Sequence, residues 1–233
     1  MLIANPQNFR DRRASWGLRR ALYWQIMQGA RRLGFRLYYV RVEANVQRLF
    51  GEPEPVLPPG FDTRIETPRA LLPWVGQVAD LNAQFLDAAH ARADLCLVSY
   101  HDGKPVGFAF VTHTRAPVSA QLDVLVPKGF QYVYKGWTHP DYRRAQLTKA
   151  RMYLRHGILL ENPTLRGISY VETHNYQSLL HGYRPPIERS LHLGFCGSFT
   201  LFGREIPFNT RRARWIGFEL VRKEDSGTRQ YVS

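Results

Sequence analysis

The stretch from residue 130 to residue 174 constrains this chain most, because it reads as a strand that feeds a helix that feeds a second strand. FQYVYKGWT (130–138) is dense in aromatic and β-branched residues, the composition that suits a pleated surface. It passes directly into HPDYRRAQLTKARMYLRHGILL, where Leu147, Ala150, Leu154 and Ile158 fall on one helical face. The spacing predicts a helix that starts near Leu147 and ends by Pro163. GISYVETH (167–174) is strand-like again.

The rest of the chain is read against that segment. LCLVSY (95–100) and PVGFAFVT (105–112) flank HDGK, whose Asp-Gly pair signals a hairpin. FDTRIE (61–66) alternates as a strand, and residues 74 to 93 carry a helical pattern through Val75, Val78, Leu81, Phe85, Leu86 and Ala89. Residues 117 to 126, SLHLGF, FTLFG and residues 214 to 220 read as further strands, followed by a polar tail from Arg222. At the other end a helix is expected over residues 12 to 33, with Trp16, Tyr23, Trp24, Met27, Ala30 and Leu33 at helical spacing. FRLYYVRVE (35–43) follows as a strand, and the Pro-rich GEPEPVLPPG (51–60) continues neither element and reads as a linker. This order implies the α/β class, with a mixed sheet and helices on its faces.

Charge narrows the partners. Lys and Arg number 32 against 19 Asp and Glu, a net +13, and only 5 of the 32 are Lys. Residues 1 to 50 hold ten Arg against Asp11 and Glu43, so they alone supply +8. Such a field attracts phosphate, anionic lipid or an acidic protein. No helix-turn-helix, zinc-finger or RNP-type signature accompanies it, so specific nucleic-acid binding is not expected. Arg12, Arg13, Arg19, Arg20, Arg31 and Arg32 beside tryptophans suit two arrangements: a helix in a membrane interface, or one docked on its own domain with Arg stems over apolar surface. No run reaches the length of a spanning helix, and MLIANPQNFRDRR lacks the apolar core of a secretory signal. The expectation is a cytoplasmic protein, with a peripheral place at the inner membrane surface as the alternative. Cys96 and Cys196 form no disulfide framework and are expected as buried thiols, and no His/Cys spacing suggests a metal.

Three strings in this order resemble the GNAT acyltransferase superfamily over about residues 61 to 203: THPDYRRAQLTKA, VETHNYQS and SLHLGFCGSFTLFG. The resemblance implies a splayed mixed sheet flanked by helices, in a domain at 61–221 that follows a basic extension (1–50) and the linker (51–60) and precedes the tail (222–233). It implies an acyl-CoA donor, acetyl-CoA or longer, whose pyrophosphate is held by the turn formed by Arg143, Arg144, Ala145, Gln146, Leu147 and Thr148. Trp137, Thr138 and His139 would face the pantetheine arm from the end of the splayed strand, and Asn175 and Ser178 would touch the cofactor edge or cap a helix. A turn from strand to helix does leave unpaired N–H groups at the positive end of a helix dipole, and Arg grips phosphate in a fork.

The chain departs from the family at that turn. Gln146 and Thr148 stand where the family carries small residues, chiefly glycine. Their side chains would either donate to the phosphates, with Thr148 also able to cap the helix, or obstruct them. The donor is therefore open between acyl-CoA and acyl carrier protein, and a non-catalytic partner or membrane-binding module is a third reading. For the base, Glu172 sits in an otherwise apolar strand, where it is either a buried acid or a solvent-facing residue, and His174 lies two residues on. His139 and Asp141 flank the turn, and the resemblance offers Tyr183 as the proton source for the leaving thiolate. The acceptor is an amine or hydroxyl of a small molecule, sugar or lipid-linked compound, anionic or neutral in view of the charge. Residues 10 to 48 would meet an acyl carrier protein or an anionic membrane surface.

Overall fold

The computed structural model describes residues 6–43, 54–78, 81–143, 145–162, 164–176 and 190–223. They form two compact units that do not follow chain order. One comprises residues 1–42, 117–125 and 169–233, the other residues 43–116 and 126–168.

The second of these units carries the strand–helix–strand segment. Its strands run in the order β2 (Phe61–Glu66), β3 (Leu95–His101), β4 (Lys104–Thr112), β7 (Phe130–Thr138) and the start of β8 (Arg166–Glu172). The first three pairings are antiparallel and the last is parallel, so the sheet is mixed as expected. Asp102 and Gly103 both take positive φ, 49° and 77°, and close the β3–β4 hairpin. The parallel ladder pairs Phe130, Gln131 and Tyr132 with Arg166, Gly167 and Ile168.

Two helices cover this sheet, α3 (Ala83–Ala91) and α4 (Leu147–Glu161). The helix expected over residues 74 to 93 shrinks to α3. Pro73 lies inside a preceding 3-10 turn (Pro68–Trp74), Val75 turns extended, and Asn82 starts the helix by accepting from the Phe85 N–H at 2.8 Å. The α4 bounds match the spacing, but its inward face does not. Leu147, Ala150, Arg151, Arg155 and Leu159 are buried, whereas Leu154 and Ile158 are half-buried. Two arginines can face inward because hydroxyls and an amide oxygen accept from them: Ser99, Thr138 and Thr148 for Arg151, and Gln131 for Arg155.

The first-named unit begins with α1 (Pro6–Trp16) and α2 (Leu18–Arg32), two helices rather than the single one expected, because Gly17 takes φ 84° between them. Ala21, Trp24 and Met27 are buried, so this face of α2 is docked on protein. Its strands run β10 (Arg204–Asn209), β9 (Ser190–Leu201), β1 (Arg36–Glu43) and the end of β8. SLHLGF and the FTL of FTLFG lie on one continuous strand, β9, Phe202 and Gly203 form the turn, and β10 returns against it. The strand expected over residues 214 to 220 is instead the short α5 (Arg211–Trp215), stopped at Gly217 (φ 79°), and then β11 (Glu219–Arg222), which pairs with β6 (Leu122–Leu125). The short β5 (Arg115–Pro117) precedes β6 in the chain. Cys96 and Cys196 are buried free thiols, and burial pushes the Cys196 thiol up to about 12.

Candidate active site

The turn between β7 and α4 is built from the end of β7 outward. Lys135 (φ 48°) and Gly136 stand opposite the single residue Ala109, a bulge that bends β7 before its last residues. Trp137 stacks on Phe108 at 5.5 Å, Thr138 pairs with Gly107, and the His139 N–H donates to the Val106 carbonyl at 2.8 Å. His139 then accepts from the Asp141 N–H through Nδ1 at 3.4 Å, which makes its ring a cap on the 3-10 turn Pro140–Tyr142. Tyr142 is clamped among Phe61, His101 and His139, with ring centroids 5.5, 5.0 and 5.5 Å away.

Beyond Tyr142 the chain is open to solvent. Arg143, Gln146 and Thr148 are exposed, Ala145 is half-buried and Leu147 is buried. Gln146 lies in the left-handed region (φ 56°, ψ 14°), the backbone conformation for which glycine is the usual choice. Its carbonyl accepts from the Ala150 N–H, so the α4 ladder opens there, yet its side chain gives no cap. The amides of Leu147 and Thr148 precede that ladder, as the first amides of any helix do. Thr148 is not a cap either. Its Oγ1 accepts from Arg151 Nη2 at 3.2 Å, and the same nitrogen reaches Thr138 Oγ1 at 2.7 Å, so one buried guanidinium ties the end of β7 to the first turn of α4. Arg144 lies outside the described residues.

The other unit gathers a second group at the end of β8. Glu172 ends the strand, with its side chain 25% exposed, and His174 turns back so that Nε2 lies 3.5 Å from Glu172 Oε2. Arg31 of α2 reaches Glu172 Oε1 at 3.6 Å. Between the two, Thr173 donates its N–H to the Leu37 carbonyl at 3.0 Å and accepts from the Tyr23 hydroxyl at 2.7 Å. Burial holds the imidazole below its ordinary range; Glu172 opposes this shift, and Arg31 and Arg12 add to it. His174 is therefore neutral near pH 7, and its buried Nδ1 has no hydrogen-bond partner among the described residues.

Of the residues expected here, Glu172, His174 and Asn175 come together, the Asn175 N–H donating to the Glu172 carbonyl at 2.9 Å. Ser178 and Tyr183 lie outside the described residues. Tyr23, Arg31 and Arg151 escape the sequence reading. Arg151 had a visible signal, its place four residues after Leu147 on the inward face of a helix. Tyr23 and Arg31 had none, because their partners are some 150 residues away in the chain.

No family model matches the chain, and no curated protein matches it. Solved structures do resemble it. One is an aminoglycoside acetyltransferase from an uncultured soil metagenomic sample in complex with trehalose, at 11% identity and a TM-score of 0.40 over 57% of this chain and 92% of that one. A tandem GNAT protein from the clavulanic acid biosynthesis pathway matches at 13% identity and a TM-score of 0.43 over 64% of this chain, which spans about half (48%) of that chain's length. A ribosomal-protein-alanine N-acetyltransferase from Brucella melitensis biovar Abortus matches at 20% identity and a TM-score of 0.29, over 45% and 74% of the two chains. Likenesses this loose assign neither donor nor acceptor to this chain. Among the described residues no group of His, Cys, Asp and Glu could hold a metal ion.

Proposed function

We propose that this protein is a GNAT-type acyltransferase that moves an acyl group from acyl-CoA to an amine or hydroxyl. The observation that carries this reading is the turn from β7 to α4. A left-handed residue, an uncapped helix start and the exposed Arg143 leave backbone amides and a cation open to one anionic group. The diphosphate of CoA suits that turn, and the backbone at the end of β7 suits the amides of a pantetheine arm.

In the reaction, the acceptor nitrogen or oxygen attacks the thioester carbonyl carbon and loses its proton, the carbon–sulfur bond breaks, and CoA leaves as thiolate. Within the unit that holds the end of β8, Glu172 is assigned as proton acceptor because its carboxylate is partly exposed, and the buried His174, with Nε2 3.5 Å from Glu172 Oε2, is assigned to position it. An acceptor carrying carboxylate or phosphate fits the arginines near that imidazole, Arg12 and Arg31. A carrier-protein donor is the second reading, supported by the exposed Arg10, Arg13, Arg19 and Arg20 of α1 and α2.

Isothermal titration of the full chain with acetyl-CoA and longer acyl-CoAs tests the donor. Saturable binding that weakens in Arg143→Ala is expected. Absence of binding to all of them, with binding to acyl carrier protein, would transfer the case to the second reading.

A further inference from the structure

Among the described residues, the face of α2 opposite the docked one is exposed. Leu18, Leu22, Ile26 and Leu33 are 48%, 47%, 67% and 83% exposed. At 100° per residue they fall within an arc of about 80°, whose centre points about 160° away from the mean direction of the buried Ala21, Trp24 and Met27. Gly29 lies within the same arc, and a Cβ built there would meet no heavy atom within 4 Å. Arg19 and Arg32, both exposed, border the arc on either side. Four large apolar side chains in one exposed row, edged by cations, are not the ordinary scatter of surface leucines.

A second exposed apolar feature adjoins the end of this row. Thr200 donates its N–H to the Gly34 carbonyl at 3.2 Å, which fastens the tip of the β9–β10 hairpin beside Leu33. At that tip Phe202 is 96% exposed, and it takes φ 48°, a conformation that a phenylalanine adopts at a cost. Leu201 beside it is 48% exposed, and Arg204 on the other side is exposed. Among the described residues nothing packs on that ring, and glycine or asparagine would sit in the turn without strain.

We infer that the outer face of α2, together with the hairpin tip at Phe202, is a surface that seats this protein on an anionic lipid bilayer. Two arguments select lipid over a protein partner. The row is a convex ridge, and acyl chains close around a convex ridge without a matching groove. Its flanking charges are arginines, whose stems lie along the apolar boundary while their heads reach lipid phosphates. The chemistry complements a bilayer of net negative charge. The inference is independent of the assigned donor.

The test is flotation of the full-length chain with vesicles of phosphatidylcholine alone and of equal parts phosphatidylcholine and phosphatidylglycerol. Binding to the mixed vesicles is expected, with little to the neutral ones, and it should fall as salt rises. The double change Leu22→Ser with Ile26→Ser, and separately Phe202→Asn, should each weaken partitioning about tenfold while circular dichroism stays that of wild type. Ile26→Trp keeps the site apolar and should show a blue-shifted emission only with the mixed vesicles. Failure to bind anionic vesicles would overturn the inference, as would binding that ignores both the serine and the Phe202 changes. Sedimentation without lipid distinguishes a second copy as occupant: a dimer in the wild type that the serine variant abolishes would also overturn it.

Discussion

Replacing Gln146 by glycine isolates the conformation on which the proposed donor turn depends. Gln146 holds φ 56° and ψ 14° and is exposed, and its side chain makes no capping hydrogen bond for the substitution to remove. A left-handed residue with a Cβ costs about 1–2 kcal/mol, and glycine forfeits about 0.5–1 kcal/mol of unfolded-chain entropy. The difference leaves Gln146→Gly more stable by up to about 1.5 kcal/mol. Urea denaturation followed by circular dichroism should show a higher midpoint with an unchanged slope. Gln146→Ala keeps the Cβ and should stay close to wild type. A glycine variant less stable than wild type, or an alanine variant that gains as much, would refute the left-handed assignment.

Other consequences follow from the same packing. At Gly107 a Cβ would collide with Arg151 Nη1 and sit 3.2 Å from the Trp137 carbonyl oxygen. Gly107→Ala should therefore destabilise by about 1–3 kcal/mol in urea titration and speed amide exchange in residues 145–149 as the Arg151 tie shifts. Tyr134 donates to Asp94 Oδ2 at 2.6 Å and accepts from Arg92 Nη2 at 2.9 Å, while Asp94 Oδ1 is buried with no partner among the described residues. Tyr134→Phe should thus cost about 1–3 kcal/mol, read by thermal unfolding. His174 has its folded pKa below the unfolded value near 6.5, so the unfolded chain binds more protons in that window. Its contribution is present above the unfolded value and is lost as pH falls through the folded one. His174→Gln should remove that part of the acid-side slope in stability measured from pH 7 down to 5, and an undiminished slope would contradict the burial of the imidazole.

The fold was largely legible where one signal dominated. The bounds of α4 and the β3–β4 hairpin come directly from apolar spacing and from Asp102-Gly103. Legibility failed where local punctuation competed with pattern: Gly17 splits the first helix, Pro73 shortens the third, and Thr210 and Gly217 convert an aromatic strand pattern into a helix and a shorter strand. The turn at Gln146 illustrates a deeper limit. The sequence shows glycine missing, yet the backbone keeps the conformation that glycine favours, because Tyr142 is clamped on one side and Arg151 binds both flanking threonines on the other. The cluster at Glu172 was half legible, since the acid and histidine are near neighbours whereas Tyr23 and Arg31 arrive from another part of the chain.

Amide hydrogen exchange of the wild-type chain, with and without saturating acetyl-CoA, tests the donor assignment most directly. Slower exchange is predicted in residues 139–143 and 145–149 and along residues 133–138. Unchanged exchange in all three segments at ligand concentrations that protect known CoA-binding proteins would contradict it.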